Sequence, residues 1–228
     1  MALKESKVLE KYFDTIAPGY ETMNSLLSLN LDRLWRARML TKITEFGPKT
    51  ILDVACGTCD VLRLLEAEVK SCTAVGLDLS HGMLSVAKSS HPSFKLLRGN
   101  GVELPFPDNS FDAITIAFGF RNMPSHEQFL LEAKRVLKKD GRLFILELTQ
   151  PENRFLKVLN SVYLRTVLPF VSGFFGRDKE AYQYLANSIR HFPDQKTVIS
   201  IILKCGFKKA NYELQTFGVT TLFVADCS

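Results

Sequence analysis

The stretch T-I-L-D-V-A-C-G-T-C-D at residues 50–60 governs the interpretation of the whole chain. It opens with a short apolar run typical of a buried strand, turns on Gly57, and starts an apolar helical pattern at Asp60. A strand, a glycine turn and a helix in this order present a ligand at the carboxyl end of a strand in open α/β sheets. The sequence therefore predicts an α/β domain with a ligand beside Gly57.

The charges around this turn indicate which ligand it holds. A dinucleotide loop brings several glycines against a pyrophosphate, as in G-x-G-x-x-G, whereas this loop has one glycine and two carboxylates, Asp53 and Asp60. Carboxylates repel a diphosphate and attract a ligand with an ammonium and a sulfonium group, such as S-adenosylmethionine. We therefore favour S-adenosylmethionine over a nicotinamide dinucleotide. A plain strand-to-helix turn capped by Asp60 stays open as the alternative.

Composition fits one domain spanning 1–228. The 228 residues are 46% hydrophobic, enough for a full core without a second domain. A net charge of +5 with no long Lys/Arg run does not indicate a nucleic-acid partner. Five cysteines favour a reducing compartment, and the C-x-x-C of Cys56 and Cys59 lacks a second pair, so redox is a minor alternative and no metal is expected. With no apolar signal core and no membrane-spanning run, we expect a cytoplasmic protein.

Strands and helices alternate as far as residue 148, which predicts a mostly parallel sheet with helices on both faces. Ser80 and Ser125 are each expected to cap a helix. Residues 1–48 are predicted to form a helical arm over the domain, and 152–204 a helical lid. The remaining predicted elements are strands at 72–79, 94–97, 111–118 and 142–148, a turn at 138–141, helices near 153–168, 179–190 and 195–204, and two antiparallel strands at 207–214 and 219–225.

Polar residues follow three of these strands at one predicted edge of the sheet. Asp78 ends the second strand, where an acid can accept both ribose hydroxyls of an adenosine ligand or simply cap the next helix. Asn100 and Gly101 follow the third strand and suit the edge and face of an adenine ring, although a plain Asn-Gly turn explains them nearly as well. Arg121 and Asn122 follow the fourth strand, and a solvated surface charge is an equal alternative for Arg121.

Residues 153–177 are unusual in charge, because they contain four basic residues and no acid among many apolar ones. Packing against the core is the commoner explanation for such a segment. The more specific explanation is a basic, apolar lid that lies against a membrane or a hydrophobic substrate. Both stay open on the sequence alone.

Seven segments spread over nearly the whole chain form a recognisable set. Together they resemble the ubiquinone/menaquinone biosynthesis C-methyltransferases, a family of class I S-adenosylmethionine-dependent enzymes. The Tyr-x-x-Met-Asn arm at 20–24 and the Phe-Gly-x-Arg-Asn turn at 118–122 are specific to that family. The segments are F-D-T-I-A-P-G-Y-E-T-M-N-S-L-L-S at 13–28, I-L-D-V-A-C-G-T-C-D at 51–60, L-P-F-P-D-N-S-F-D at 104–112, I-A-F-G-F-R-N-M at 116–123, R-V-L-K-K-D-G-R-L at 135–143, E-A-Y-Q-Y-L-A-N-S-I-R at 180–190 and F-P-D-Q at 192–195.

The resemblance implies a Rossmann-like, doubly wound sheet of seven strands whose last strand is antiparallel, with a helical arm and lid. It implies C-methylation of a demethylated polyprenyl quinol, either demethylmenaquinol or the ubiquinol precursor, in respiratory quinone biosynthesis. Combined with the loop argument, it gives an expected site in which Arg121 is catalytic, the cofactor contacts Asp53, Gly57, Thr58, Asp78, Asn100, Gly101 and Ala117, and the substrate contacts Tyr20, Asn24 and Asn122.

We expect Arg121 to stabilise the phenolate of the quinol, with a nearby water as the proton acceptor. The four histidines are expected at the surface, and Asp32 stands where many relatives carry His.

A polyprenyl quinol lives in the bilayer, so we also expect peripheral contact of residues 153–177 with the inner face of a membrane, and a homodimer is left open. Two rivals remain: a methyltransferase for another small molecule, and a catalytically weak cofactor-binding partner of a biosynthetic complex. Cys59, at a position where the family has glycine, favours the second rival.

Overall fold

The computed structural model describes residues 13–15, 17, 24–25, 28–69, 72–163, 166 and 179–228. Tyr20 and most of the basic, apolar segment beyond residue 163 lie outside the described residues. Within the described part, the strands form one seven-stranded sheet in the order β3-β2-β1-β4-β5-β7-β6. The strands are β1 Thr50–Val54, β2 Thr73–Asp78, β3 Lys95–Arg98, β4 Phe111–Ala117, β5 Leu137–Leu148, β6 Lys209–Gln215 and β7 Thr220–Asp226.

The polarity of the strands confirms the predicted topology. β1 to β5 pair in parallel, whereas β7 runs antiparallel to both of its neighbours, β5 and β6. The strand order reverses between β1 and β4, which opens a crevice at the carboxyl ends of these two strands. The helices of the described part are α1 Leu31–Phe46, α2 Asp60–Glu68, α3 His81–Ser90, α4 His126–Val136, α5 Arg154–Val162, α6 Lys179–His191 and α7 Gln195–Lys204.

Helices cover both faces of the sheet because successive strand residues point to opposite sides. On one face, Ile51 and Phe144 pack against α1 and α2. On the other face, Leu52 and Ile145 pack against α4 and α7. α3 packs beside α2 at the β2–β3 end of the sheet, through Leu84. Within the ranges that the structure describes, no helix is both long and apolar enough to cross a bilayer.

Local chemistry sets where the helices begin. The hydroxyl of Ser80 accepts the backbone N–H of Met83, and the hydroxyl of Ser125 accepts that of Gln128, so both predicted caps are confirmed. α2 begins differently, because its N-cap Cys59 has φ 73°, in the left-handed region that favours glycine. The Cys59 side chain is fully buried in this strained position. It is the neighbouring core contacts that hold this backbone conformation.

The turn predicted at 138–141 is wrong, because β5 begins at Leu137 and continues through this stretch. Leu137 pairs with Phe111, and the register then shifts so that Arg142 pairs with Ala113. The extra residues form an irregularity in the ladder rather than a reversal of the chain. Lys138 is tied there to the Asp112 carboxylate at 2.7 Å, which keeps the stretch against β4. Turn-forming residue types thus mark a bulge at this point.

Candidate active site

Two cavities lie at the carboxyl ends of the strands. The first has a volume of about 760 Å³ and is bounded by the loops that follow β1, β2, β3 and β4. Six residues that the sequence assigned to a site line it. They are Gly57, Asp78, Asn100, Gly101, Ala117 and Asn122.

Asp78 is the fixed acid of the first cavity. Its Oδ2 accepts the N–H of Gly57 at 2.8 Å, and its Oδ1 accepts the N–H of Ser80 at 2.8 Å. Burial raises the pKa of Asp78, and the hydrogen bonds from Ser80 and Gly57 oppose that rise. The glycine turn after β1 and the start of α3 therefore hold this carboxylate in place, with lone pairs left to accept ligand hydroxyls.

The Asn100-Gly101 pair serves both as a turn and as a wall of the first cavity. The side-chain Oδ1 of Asn100 accepts the N–H of Val102 at 3.2 Å, which forms an Asx turn. A Cβ at Gly101 would come within 2.9 Å of Met123 Cε and 3.0 Å of Val54 Cγ1. A side chain at position 101 would therefore have to displace Met123 and press on Val54, both of which line the first cavity.

The first helical turn of the described arm closes the first cavity from above. Phe13 lines the cavity, and Asp14 Oδ1 accepts hydrogen bonds from Ser80 Oγ at 2.6 Å and from the Gly82 N–H at 2.8 Å. These two bonds lower the pKa of Asp14. We did not predict this contact from the sequence. The exposed N–H groups at the start of α3, which attract an acid, were the available signal.

The second cavity has a volume of about 730 Å³ and lies on the other side of Phe118, which lines both cavities. Phe118 follows β4 with φ 61°, a left-handed conformation that turns the chain between the two spaces. Predicted residues Asn24 and Arg121 line this second cavity. The other lining residues are Ser28, Asp32, Trp35, Arg36, Leu148, Thr149, Asn160, Tyr163, Leu185, Ile189 and Val219.

Arg121 is held by a buried ion pair that the sequence did not reveal. Its Nη1 lies 2.6 Å from Glu147 Oε1, and the side chains are only 7% and 0% exposed. Glu147 also accepts the backbone N–H of Arg121 at 2.9 Å, while Nε of Arg121 donates to Ser188 Oγ at 3.2 Å. The guanidinium therefore reaches the second cavity with its charge compensated by Glu147. An acid inside the apolar β5 run was the signal for this partner.

Comparison with known proteins identifies the family. Residues 1–226 match the model of the ubiE/COQ5 methyltransferase family. The chain belongs to this family. It is 40% identical over 227 residues to a demethylmenaquinone methyltransferase of Thermotoga maritima, with 99% of each chain covered. It is also 35% identical to the ubiquinone/menaquinone biosynthesis C-methyltransferase UbiE of Campylobacter jejuni, which covers 97% of this chain and 98% of the relative.

A solved SAM-dependent methyltransferase of Thermotoga maritima has the same fold, with a TM-score of 0.62 and 15% identity, covering 96% of this chain and 99% of that one. The predicted Rossmann-like fold and the enzyme class, an S-adenosylmethionine-dependent methyltransferase, are confirmed. The first cavity fits this cofactor, because the fixed Asp78 carboxylate and the Asn100-Gly101 turn line the same space.

Asp53 and Asp60, whose charges pointed to this cofactor in the sequence, do not line the first cavity. Asp53 is fully buried in the sheet, where it accepts the Thr115 hydroxyl at 2.7 Å, and burial raises its pKa to about 7. Asp60 is bound by Arg36 at 3.1 Å and by Arg63 at 2.6 Å. Among the described residues of the cavity wall, only Asp78 contributes a carboxylate.

For three other predicted contacts of this methyltransferase, the structure does not show the expected position in a cavity. Thr58 is buried in the glycine loop and does not line either cavity. Asn122, assigned to the substrate, lines the first cavity, and its Oδ1 accepts the Tyr184 hydroxyl at 3.0 Å. Tyr20 lies outside the described residues. The roles of Thr58, Asn122 and Tyr20 stay predictions.

The histidines are only in part where we expected them. His81 and His191 are exposed, as predicted. His91 and His126 are half-buried, which makes the prediction wrong for these two. His126 stacks on Phe120 with ring centroids 4.6 Å apart, and burial lowers its pKa. Among the described residues, no three His, Cys, Asp or Glu side chains gather as a metal-binding group.

Proposed function

We propose that this methyltransferase transfers a methyl group from S-adenosylmethionine to a ring carbon of a demethylated polyprenyl quinol. Demethylmenaquinol is the first candidate and the ubiquinol precursor the second, which are the substrate classes named for its relatives. The observation that carries the proposal is the pair of cavities that meet at Phe118, one around a fixed acid and one largely apolar. A polar cofactor and an apolar ring need such adjoining spaces.

We assign the cofactor to the first cavity and the quinol to the second. Asp78 is placed to accept ribose hydroxyls, and Asn100 and Gly101 to bound the adenine. When bound, the cofactor supplies an electrophilic methyl group on a sulfonium. Trp35 and Phe118 give the second cavity aromatic walls for a quinol ring, and Arg121 is placed to donate a hydrogen bond to a quinol oxygen. Because the carboxylate of Glu147 compensates the charge of Arg121, Arg121 would act on the quinol as a directed hydrogen-bond donor and would add no net positive charge to the cavity.

Incubation with isotopically labelled cofactor and each demethylated quinol tests the proposal. We expect demethylmenaquinol to gain one labelled methyl group on its ring, as identified by mass spectrometry. Transfer to neither quinol, by a protein that still binds the cofactor in calorimetry, would contradict the proposal and favour a binding partner of a complex. Transfer to an unrelated phenol at the same rate would favour a methyltransferase with another substrate.

We further propose that α5 carries the protein to the membrane that holds its substrate. One stripe of this helix is apolar and open to solvent, with Phe155 76% and Leu159 58% exposed, and no residue of the helix is buried. Arg154 and Lys157 lie beside the stripe. Asn160, on the same helix, lines the second cavity. An apolar stripe with flanking cations is typical of helices that lie in the surface of an anionic bilayer.

Vesicle flotation tests the membrane contact. The wild-type protein should float with phosphatidylcholine vesicles that contain phosphatidylglycerol, and F155D/L159D should stay at the bottom because two charges would enter the bilayer interface. Leu131→Asp is the matched control, since Leu131 is a similarly exposed leucine on α4. Failure of the wild-type protein to float with these vesicles would disprove the contact. The homodimer stays a prediction, which sedimentation velocity of the purified protein tests.

A further inference from the structure

Asp32 is a buried acid in the second cavity that the proposed function has not used. It lies in the first turn of α1 and is 6% exposed. Within the described lining of the second cavity, it supplies the only carboxylate. The other polar groups there are amides, hydroxyls and two guanidiniums, which are poor proton acceptors. Among these described groups, a quinol in this cavity would therefore meet one strong acceptor, the Asp32 carboxylate.

Two neighbours fix the direction of the Asp32 carboxylate. Ser28 Oγ donates to Oδ1 at 2.7 Å, and Arg36 Nη1 donates to Oδ2 at 2.6 Å. The guanidinium of Arg36 lies over the ring of Phe118, 5.0 Å from its centroid, at the boundary between the two cavities. The acid is thus held beside the aromatic wall that we assign to the quinol ring.

Charges around Asp32 cancel in pairs. Arg36 also binds Asp60 at 3.1 Å, and Asp60 binds Arg63 at 2.6 Å, so two acids and two arginines alternate from the cavity to the start of α2. Across the cavity, Arg121 is paired with Glu147, and Tyr163 is the remaining titratable group in the part of the wall that the structure describes.

Among the described lining residues of the second cavity, each guanidinium is thus paired with a carboxylate, and none supplies surplus positive charge to a phenolate formed by loss of a proton to bulk water. An uncompensated anion in a largely apolar space is unfavourable. A proton that passes to an acid within the cavity leaves the total charge unchanged, and it frees Arg36 to interact with the new anion. Proton transfer to an acid inside the cavity is thus the route to a phenolate with the lowest electrostatic cost.

We propose that Asp32 is the catalytic base that takes the hydroxyl proton of the quinol, in place of the water expected beside Arg121. The O–H bond breaks, its electron pair stays on the oxygen, and the Asp32 carboxylate becomes neutral. The ring carbon then gains the methyl group while the carbon–sulfur bond breaks with its electron pair on sulfur. The ring C–H proton leaves to water, and the oxygen recovers the proton held by Asp32. This role rests on the proposed function.

Kinetics of variants at Asp32 test the role. Asp32→Asn should lower kcat at least about 100-fold with little change in the KM for the cofactor, because a positioned base contributes about that much or more. Asp32→Glu should keep a measurable part of the wild-type rate. Glu45→Gln, on the same helix with its side chain 60% exposed, is the control and should match the wild type. An Asp32→Asn variant that turns over within about threefold of the wild type would refute the proposal.

A binding measurement without cofactor separates this role from a structural one. Calorimetry compares 1-naphthol, which can donate its hydroxyl proton to Asp32, with 1-methoxynaphthalene, which cannot. Wild-type protein should bind 1-naphthol about tenfold or more tightly than the ether, as expected for a hydrogen bond to a charged group, and Asp32→Asn should lose that preference. If Asp32→Asn fails to fold, Asp32→Ser carries the comparison, because it also removes the carboxylate while Arg36 keeps Asp60 as a partner.

A preference for 1-naphthol that is undiminished in the variant would overturn the role of Asp32 even if the wild-type enzyme methylates quinols. Conversely, the wild-type protein could fail to methylate quinols while Asp32→Asn still abolishes the preference for 1-naphthol. That result would contradict the proposed substrate but support Asp32 as the hydrogen-bond acceptor.

Discussion

Arg121→Ala is expected to lower the free energy of unfolding by about 3–5 kcal/mol, because it leaves the carboxylate of Glu147 buried without its partner. The Glu147 side chain is 0% exposed, so its carboxylate is shielded from bulk solvent. Chemical denaturation measures the change. Lys42→Ala is the matched control, since it breaks the exposed pair with Glu45 and should cost less than about 1 kcal/mol. Equal stability of Arg121→Ala and the wild type would show that the pair does not hold the turn.

Because of this ion pair, turnover measurements alone do not establish the catalytic role of Arg121. Loss of activity in Arg121→Ala can come from the missing donor or from a displaced turn after β4. The double variant R121M/E147L removes both charges and keeps apolar volume, so it should regain most of the stability. We expect it to bind cofactor normally and to stay slow in methyl transfer. Wild-type turnover in this stable double variant would remove Arg121 from the mechanism.

Local patterns were sufficient to predict the sheet and the position of Asp78 at its edge. Asp78 was predictable because it ends an apolar strand, and the carboxyl ends of parallel strands meet at one edge. The Ser80 and Ser125 caps were predictable because a capping side chain bonds backbone only a few residues away. Strand polarity in the carboxyl-terminal part followed from the short connection near Phe217 and Gly218.

Contacts between distant segments were not predictable, because no local pattern encodes them. Glu147 meets Arg121 across 26 residues, and Asp14 reaches Ser80 across 66. Asp53 shows a second limit. Strands of a parallel sheet are buried on both faces, so an acid near a strand end gives no sign of which way it points. Its Oδ1 accepts the Thr115 hydroxyl in the sheet, and Asp53 is not among the residues that line the first cavity.

Asp78→Ala is expected to weaken cofactor binding at least about 100-fold, as measured by calorimetry. Each hydrogen bond from a ribose hydroxyl to a charged acceptor contributes about 1.5–3 kcal/mol, and this carboxylate is placed to accept two. The variant also releases the Gly57 and Ser80 N–H groups that Asp78 now binds, so the glycine loop loses an anchor. Asp112→Asn is the control, because that acid lies at the opposite end of the sheet, bound to Lys138.

Asp78→Asn separates the two contributions to binding. Its amide oxygen can still accept the N–H of Ser80, but its amide nitrogen cannot accept the N–H of Gly57, so the loop anchor is half preserved. If the ribose contact dominates, Asp78→Asn should retain part of the affinity that Asp78→Ala loses, since one acceptor remains. If the anchor dominates, both variants should show weaker binding together with lower thermal stability. Wild-type affinity in both would mean that the acid of the first cavity does not meet the ribose at all.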